Sequence, residues 1–265
     1  MNRIHVDTCP STMSYAASLP EDETPHGTIV TAREQTAGRG QRGNSWESEP
    51  GANLTFSLIL RPQQWPAARQ FELSMAVAVG VCRALRRALP PDADVRVKWP
   101  NDIYAGNRKM VGILIENTIS GSLITRSIAG IGINVNQTIF RSSAPNPVSM
   151  ARLAGHPYDL DTLLSSVVTE ILHTAENALT SPTPLTDKGF TAPTDRHQGT
   201  TPLADEYHTL LWRNDGKLYK WLDTATLRIF EASIERVDPA GPLILRLPDG
   251  TPRPYLFKQV AAVLT

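Results

Sequence analysis

The stretch from residue 95 to residue 116 constrains the fold more than any other part of the sequence. Its first half alternates apolar and polar residues up to Trp99, which is typical of a half-buried β-strand. Pro100 has no amide hydrogen to donate, so the strand is expected to end there. Ala-Gly-Asn at 105–107 predicts a turn, and 109–116 predicts a second strand. The stretch is therefore interpreted as a hairpin.

This hairpin is expected to bring Asp102 close to Lys109, although seven positions separate them. A partly buried lysine needs an anionic partner or ligand, because desolvating an unpaired ammonium group is costly. An ordinary surface ion pair is the alternative interpretation. Gly112 favours a site, since a glycine inside an apolar strand often permits close approach of a ligand.

Length and composition limit the class of protein. A chain of 265 residues is long enough for one large domain with a small appendage, or for two modest domains. Lys plus Arg and Asp plus Glu both number 26, so the net charge does not indicate nucleic acid or an anionic membrane as partner. The two cysteines lack metal-binding spacing, and no signal peptide or membrane-spanning run is evident. We expect a soluble, cytoplasmic protein.

A glycine-rich loop follows a predicted strand at 27–33. The loop contains the pattern G-x-G-x-x-G, but a second strand at 53–60 follows it where a dinucleotide-binding fold would need a helix. Glycines free backbone N–H groups to converge on an anion, and arginines add paired contacts to phosphate or carboxylate oxygens. A solvated turn is the alternative interpretation. The residues concerned are Gly38, Arg39, Gly40, Arg42 and Gly43.

Helical patterns are separated by a long strand at 122–135. Gly130 and Gly132 leave one face of that strand bare, and Asn134 follows with the same parity, offering an amide to a polar ligand. The helices are predicted at 13–19 with Ser11 as N-cap, at 67–89, 148–153, 161–179 and 203–213. Residues 180–202 are interpreted as a loop.

Short strands follow from residue 218 to the end of the sequence. They are predicted at 226–237, 243–247 and 253–263, with turns between them that contain proline and glycine. Strands this short and closely spaced indicate a small barrel.

Four motifs in this order resemble the bacterial biotin protein ligases, which attach biotin to a lysine of a carrier protein. They are Gly-Arg-Gly-Gln-Arg-Gly-Asn-Ser-Trp at 38–46, Lys-Trp-Pro-Asn-Asp at 98–102, Arg-Lys-Met-Val-Gly-Ile-Leu at 108–114 and Gly-Ile-Asn at 132–134. The resemblance implies an α/β (α+β) fold, with a catalytic domain of the class II aminoacyl-tRNA synthetase-like, biotin/lipoate ligase type. A mixed sheet backed by helices would occupy residues 1–216, and an SH3-like barrel residues 217–265.

The resemblance also implies substrates and site residues. ATP and biotin would be the substrates with Mg²⁺, and a biotin carboxyl carrier protein the partner of a monomer or homodimer. Lys109, Arg39, Arg42 and Asp102 would be catalytic, with no metal-ligating residue. Ser11, Thr12, Gln35, Gly112, Leu114 and Gly130 would bind biotin. Gly38, Gly40, Gly43, Trp46, Asn101 and Asn134 would bind the nucleotide.

Three alternatives stand beside this interpretation. A lipoate ligase or octanoyl transferase has a related fold, but the Lys-Trp-Pro-Asn-Asp motif and the glycine loop favour biotin. The two arginines of the loop could instead form an RNA-binding patch, although aromatic residues are not interleaved with them. Some relatives are also repressors, but the ten residues before Ser11 are too few for a helix-turn-helix, so neither DNA binding nor repressor activity is expected.

Overall fold

The computed structural model of the chain describes residues 2–40, 44–141, 146–180 and 201–264. Arg42 and Gly43 lie outside these ranges, as does most of the loop predicted at 180–202. The predictions that concern them remain predictions.

Thirteen strands and five helices make up the described part of the chain. The strands are β1 Arg3–Cys9, β2 Thr28–Gln35, β3 Leu54–Leu60, β4 Trp65–Pro66, β5 Val95–Lys98, β6 Asp102–Ala105, β7 Arg108–Ser120, β8 Leu123–Ile133, β9 Tyr219–Asp223, β10 Ile229–Val237, β11 Leu243–Arg246, β12 Pro252–Tyr255 and β13 Val260–Ala262. The helices are α1 Thr12–Ser18, α2 Gln70–Ala88, α3 Met150–Ala154, α4 Leu160–Thr180 and α5 Pro202–Leu210.

The strands form two sheets. The first has the order β1-β2-β3-β8-β7-β6-β5, with β4 paired to β8, and the second has the order β12-β11-β10-β9-β13. Only the β1–β2 pair is parallel among the described strand pairs. The predicted fold class, a mixed sheet with helices followed by a small C-terminal β unit, is confirmed. The domain boundary at residue 216 remains a prediction.

Helices cover both faces of the first sheet. On β3, Leu58 packs in the core that contains α2 and α4, whereas its neighbour Ile59 packs against Met13 of α1 on the other face. Gly80 lets α2 and α4 approach closely, because a Cβ atom there would lie 2.7 Å from the Cα atom of Ile171. No helix in the described ranges is long and apolar enough to cross a membrane.

Several local predictions differ from the structure. Helix α5, predicted to reach residue 213, ends at Leu210. The predicted hairpin is a three-stranded meander, because the four residues of β6 pair with β5 on one side and β7 on the other. Residues 67–69 form a 3₁₀ turn, so α2 begins at Gln70. The strand predicted at 253–263 is divided into β12 and β13, and β9 was not predicted.

Helix α5 holds the turn between β5 and β6. The hydroxyl group of Tyr207 donates a hydrogen bond to the carbonyl oxygen of Pro100 at 2.5 Å. Just beyond the helix, the backbone N–H of Trp212 donates to the carbonyl oxygen of Val97 at 2.8 Å. The turn that carries Asn101 is therefore supported from the helical side.

We expect Tyr207→Phe to lower the free energy of unfolding by about 1–3 kcal/mol, because the Pro100 carbonyl would lose a buried donor. Tyr15→Phe is the control, since the Tyr15 hydroxyl has no hydrogen-bond partner among the described residues, and a change below about 0.5 kcal/mol is expected. Urea denaturation of both variants is the measurement. Equal stability of the two variants would contradict the clamping role.

Candidate active site

A cavity lies between α1, the glycine loop and the β5–β6 turn, with β7 and β8 behind it. It has a cavity volume of about 170 Å³ and opens to solvent. Of the residues predicted for the site, the structure brings twelve to its lining: Ser11, Thr12, Gln35, Arg39, Gly40, Trp46, Asn101, Asp102, Lys109, Gly112, Leu114 and Gly130. The sequence motifs thus converge on one place.

Two predicted residues with described positions are not part of this lining. Gly38 lies in the adjoining depression, which it shares with Arg39 and Gly40. Asn134 is 3% exposed at the end of β8, where its backbone N–H donates to the carbonyl oxygen of Met110. Their predicted contacts with a nucleotide remain predictions.

A one-residue bulge in β7 directs Lys109 into the cavity. Ile103 pairs with Val111, but the next residue of β6, Tyr104, pairs with Lys109, so Met110 is an extra residue on β7. Side chains normally alternate between the two faces of a strand, and a bulge interrupts that alternation. Met110 and Val111 are both fully buried in the core, and Lys109 consequently lines the cavity together with Gly112.

Lys109 and Asp102 form the ion pair that the hairpin predicted. The Nζ atom of Lys109 lies 2.7 Å from Oδ2 of Asp102, and the two side chains are 28% and 24% exposed. This partial burial strengthens the pair relative to a surface salt bridge, because less solvent screens it. The pair holds a cation at the edge of the cavity, within reach of an anionic ligand.

Two glycines directly opposite each other form a bare strip on the sheet. Gly112 of β7 pairs with Gly132 of β8. Cβ atoms at these positions would lie 2.8 Å from Cζ3 and 2.4 Å from Cε2 of Trp46. The Trp46 indole therefore occupies the space that the two glycines leave open. The sequence had predicted a ligand at this bare strand face.

Gly130 makes room for helix α1 in the same way. A Cβ atom at Gly130 would lie 2.5 Å from Cγ of Met13. The Met13 side chain also lines the cavity. Met13 was not predicted as a site residue. The bare strand face at Gly130 was the available sequence signal, because it leaves room for a large side chain.

A polar network connects α1 with two strands. The backbone N–H of Thr12 donates to Oε1 of Gln35 at 2.8 Å, and its hydroxyl accepts a hydrogen bond from Ser57 at 2.9 Å. The hydroxyl of Ser11 accepts from the backbone N–H of Met13, which confirms its predicted role as N-cap. Hydroxyl and amide groups are thus held in fixed positions at one end of the cavity.

The glycine loop is held closed at its base. The backbone N–H of Trp46 donates to the carbonyl oxygen of Gly38 at 2.9 Å, and Arg39 and Ser45 form an isolated β-bridge. Arg39 lies 3.7 Å from Glu116, but both side chains are about half exposed, so this ion pair is weak. The Arg39 guanidinium therefore remains available to an anion in the cavity.

The second sheet contributes residues that the sequence analysis missed. Phe257 and Lys258, in the turn between β12 and β13, line the cavity with Lys98 and Trp99. The Trp99 Nε1 donates to the carbonyl oxygen of Gly241 at 3.0 Å, and its ring contacts that of Phe257 with centroids 5.9 Å apart. Lys98 belongs to the Lys-Trp-Pro-Asn-Asp motif, which was the available signal for it.

The described residues do not form a metal cage. No group of three or more His, Cys, Asp or Glu side chains within the described ranges is placed to hold a metal ion. Mg²⁺ in nucleotide sites is commonly bound by substrate phosphates and one or two carboxylates.

Residues 6–134 match the model of the Biotin/lipoate A/B protein ligase family. This part of the chain, just under half of its length, therefore resembles that family, as its motifs predicted.

Curated relatives and a solved structure agree with this. The chain is 40% identical over 134 residues to the bifunctional ligase/repressor BirA of Bacillus spizizenii, covering 51% of this chain and 40% of that protein. It is 37% identical over 139 residues to the biotin–acetyl-CoA-carboxylase ligase of Paracoccus denitrificans, covering 51% of this chain and 57% of that protein. The matches thus span about half the length of these relatives.

The similarity of fold extends beyond the matched family domain. The biotin protein ligase from Aquifex aeolicus in complex with biotin and ATP has a TM-score of 0.75 to this chain at 21% identity. The superposition covers 100% of this chain and 99% of that one. At this identity the likeness shows a shared fold, including the C-terminal sheet.

The contact between Trp46 and Gly132 can be tested with a double-mutant cycle. We expect Gly132→Ala to lower the free energy of unfolding by about 1–3 kcal/mol, because the new methyl group overlaps the indole. In a Trp46→Ala background the same substitution should cost much less, since the overlapping ring is absent. Denaturation of the wild type, both single variants and the double variant gives the coupling. Purely additive effects would mean that Trp46 does not lie on the glycine strip.

Proposed function

We propose that the protein is an ATP-dependent biotin protein ligase. It would activate biotin to biotinyl-5′-AMP with release of pyrophosphate and then transfer biotin to a lysine of a biotin carboxyl carrier protein. The observation that carries the proposal is the Lys109–Asp102 pair, which lies beside the Gly112–Gly132 strip in a cavity of a biotin/lipoate ligase family domain. Two relatives are named for ligase activity, one of them for biotin ligation to acetyl-CoA carboxylase.

The first half-reaction brings two anions together. A carboxylate oxygen of biotin attacks the α-phosphorus of ATP, and the bond between that phosphorus and the oxygen bridging to the β-phosphate breaks. Charge accumulates on the phosphoryl oxygens, so fixed cations and backbone donors stabilise the transition state more than the separated reactants. Lys109 would lie between the two anions, and Arg39 and Arg42 would bind the phosphate from the loop.

Biotin would lie at the α1 end of the cavity. The hydroxyl and amide groups of Ser11, Thr12 and Gln35 are suited to the polar ring of biotin, and Ser57 supports them from β3. Leu114 would contact the rest of the molecule, together with the Trp46 and Met13 side chains that cover the biotin-site glycines Gly112 and Gly130. The side chains here are already held by their own hydrogen bonds. Little side-chain conformational entropy would therefore be lost when biotin binds.

The nucleotide would lie across the glycine loop from biotin. Trp46 would pack beside the adenine, and the loop glycines Gly38, Gly40 and Gly43 would offer backbone N–H groups to the phosphates. Asn101 and Asn134 would provide amide contacts. Mg²⁺ would accompany ATP and screen the departing pyrophosphate.

The second half-reaction needs a neutral amine. The acceptor lysine loses a proton, its nitrogen attacks the biotinyl carbonyl carbon, and the bond to AMP breaks. Asp102, which pairs with Lys109, would orient this lysine or hold Lys109 while the adenylate reacts. We place the reaction in the cytoplasm, because Cys9 and Cys82 are both free and buried, which suits a reducing compartment.

Labelling of an acceptor tests the proposal directly. The protein is incubated with ATP, Mg²⁺, a biotin carrier domain and either biotin or lipoate, and the acceptor lysine is analysed by mass spectrometry. We expect the mass of biotin on that lysine and none in the absence of ATP. Labelling by lipoate but not by biotin would replace the proposal with lipoate ligation, and no labelling by either would refute it.

Lys109→Ala should abolish adenylate formation while the fold is retained. Removing a preorganised cation from the reacting anions is expected to raise the barrier by about 3–4 kcal/mol, a loss of 100-fold or more in rate. The measurement is pyrophosphate release, and Lys220→Ala, at an exposed position on β9, is the control. A folded Lys109→Ala protein with near-normal pyrophosphate release would exclude the assigned role.

A further inference from the structure

A buried side-chain amide beyond the end of β8 has no role in the function proposed above. Gln137 is only 2% exposed. Its Oε1 atom accepts hydrogen bonds from the backbone N–H of Glu49 at 2.9 Å and from Nδ2 of Asn53 at 2.6 Å. Its Nε2 atom donates to Oε1 of Glu47 at 3.0 Å and to the carbonyl oxygen of Ile139 at 2.8 Å. The amide group thus uses both of its acceptor positions and both of its donors.

The partners of this amide belong to the segment that follows Trp46 in the chain. Glu47 and Glu49 are the first and third residues of that segment. Asn53, which precedes β3, also binds the end of β8, because its Oδ1 atom accepts from the backbone N–H of Val135 at 2.8 Å. The segment after Trp46 and the segment after β8 are therefore tied together by buried amide side chains.

The indole of Trp46 does not fix its own position by hydrogen bonding. Its Nε1 atom is buried and has no partner within the described part of the chain. The ring lies on the strip formed by Gly112 and Gly132, with Nζ of Lys109 6.0 Å from the ring centroid. Contact with a bare glycine surface does not prevent a ring from sliding, because hydrophobic contact is not directional. The position of the indole must therefore be set by the backbone on either side of Trp46.

The backbone is held differently on the two sides of Trp46. Before it, Ser45 forms an isolated β-bridge with Arg39, and both residues are exposed. Water competes for exposed hydrogen bonds, whereas the bonds of a buried amide are stronger in their less polar surroundings. The segment after Trp46 is held by the buried Gln137 and is consequently the firmer anchor.

We propose that Gln137 is a positioning residue for Trp46: its side-chain amide anchors the segment that follows Trp46 and so keeps the indole over the glycine strip. Gln137 is not among the described residues that line the cavity, so it acts through Trp46. The consequence for binding rests on the proposed function, in which Trp46 would pack beside the adenine of ATP. An indole that is already in place loses less conformational entropy when the nucleotide binds.

The position of Trp46 can be tested without any measurement of activity. The chain contains five tryptophans, and in protein labelled with fluorinated tryptophan the Trp46→Phe variant identifies the fluorine NMR resonance of Trp46. We expect Gln137→Met to shift or broaden that resonance in the ligand-free protein and to leave those of the other tryptophans unchanged. Gln70→Met is the control, because Gln70 is exposed at the start of α2, and it should leave every resonance unchanged.

The kinetic test uses the separation of KM from kcat in adenylate formation. We expect Gln137→Met to raise the KM for ATP about 5-fold to 10-fold and to leave kcat within about 2-fold, because a binding contact is misplaced while Lys109 is not. In a Trp46→Ala background the same substitution should leave the KM for ATP unchanged, since the residue through which it acts is absent. A general loss of stability would instead lower activity in both backgrounds.

An exchange of groups tests the hydrogen bond between Gln137 and Glu47. Gln137→Glu removes the donor and places two carboxylates side by side, so it should act like Gln137→Met. Addition of Glu47→Gln restores a donor and an acceptor between the two positions and should recover part of the affinity for ATP. Glu47→Ala, at a partly exposed position, should raise the KM for ATP in the same direction and tests the link even if position 137 tolerates no change. Circular dichroism confirms that each variant is folded.

The outcomes distinguish this proposal from the proposed function. If a folded Gln137→Met protein keeps both the Trp46 resonance and the KM for ATP of the wild type, the positioning role is refuted. An equal rise of the KM with and without Trp46 would show that Gln137 acts through another residue and would also refute it. A wild type that forms no adenylate would refute the proposed function itself, whereas the fluorine spectra would still decide whether Gln137 positions Trp46.

Discussion

The bulge at Met110 is the constraint on which the rest of the site depends. In a regular strand, Lys109 and Gly112 would lie on opposite faces of the sheet, because side chains alternate. The extra residue puts Met110 and Val111 into the core together and leaves Lys109 on the face of the glycine strip. The hydrophobic core therefore fixes the direction of the cation, and the ion pair with Asp102 adds the final orientation.

Around this point, four separate parts of the chain complete the cavity. The glycine strip accepts the Trp46 indole, Gly130 accepts Met13 and with it helix α1, and α5 supports the turn that precedes Asp102. The second sheet closes the remaining side through the contact between Phe257 and Trp99. Because these elements meet only in the folded chain, the site is a property of the whole arrangement and not of residues 6–134 alone.

Sequence reasoning identified the elements of the site but not how they pack. The hairpin predicted the proximity of Asp102 and Lys109 because strand pairing is a local property, and the order of four motifs predicted the fold class. The bulge could not be predicted, since it depends on the core accepting two adjacent apolar residues, Met110 and Val111, together. The position of Phe257 and Lys258 at the cavity could not be predicted either. It results from the packing of the two sheets against each other, and no local sequence pattern encodes such long-range packing.

The most direct test of the account is whether the isolated protein makes and retains an adenylate. The protein is mixed with Mg-ATP and equal concentrations of biotin and lipoate, without acceptor, and the bound nucleotide is released by denaturation and identified by mass spectrometry. The account predicts biotinyl-AMP in an amount approaching one molecule per chain, with pyrophosphate released in equal amount. Lipoyl-AMP in its place, or no acyl-adenylate at all, would contradict the account.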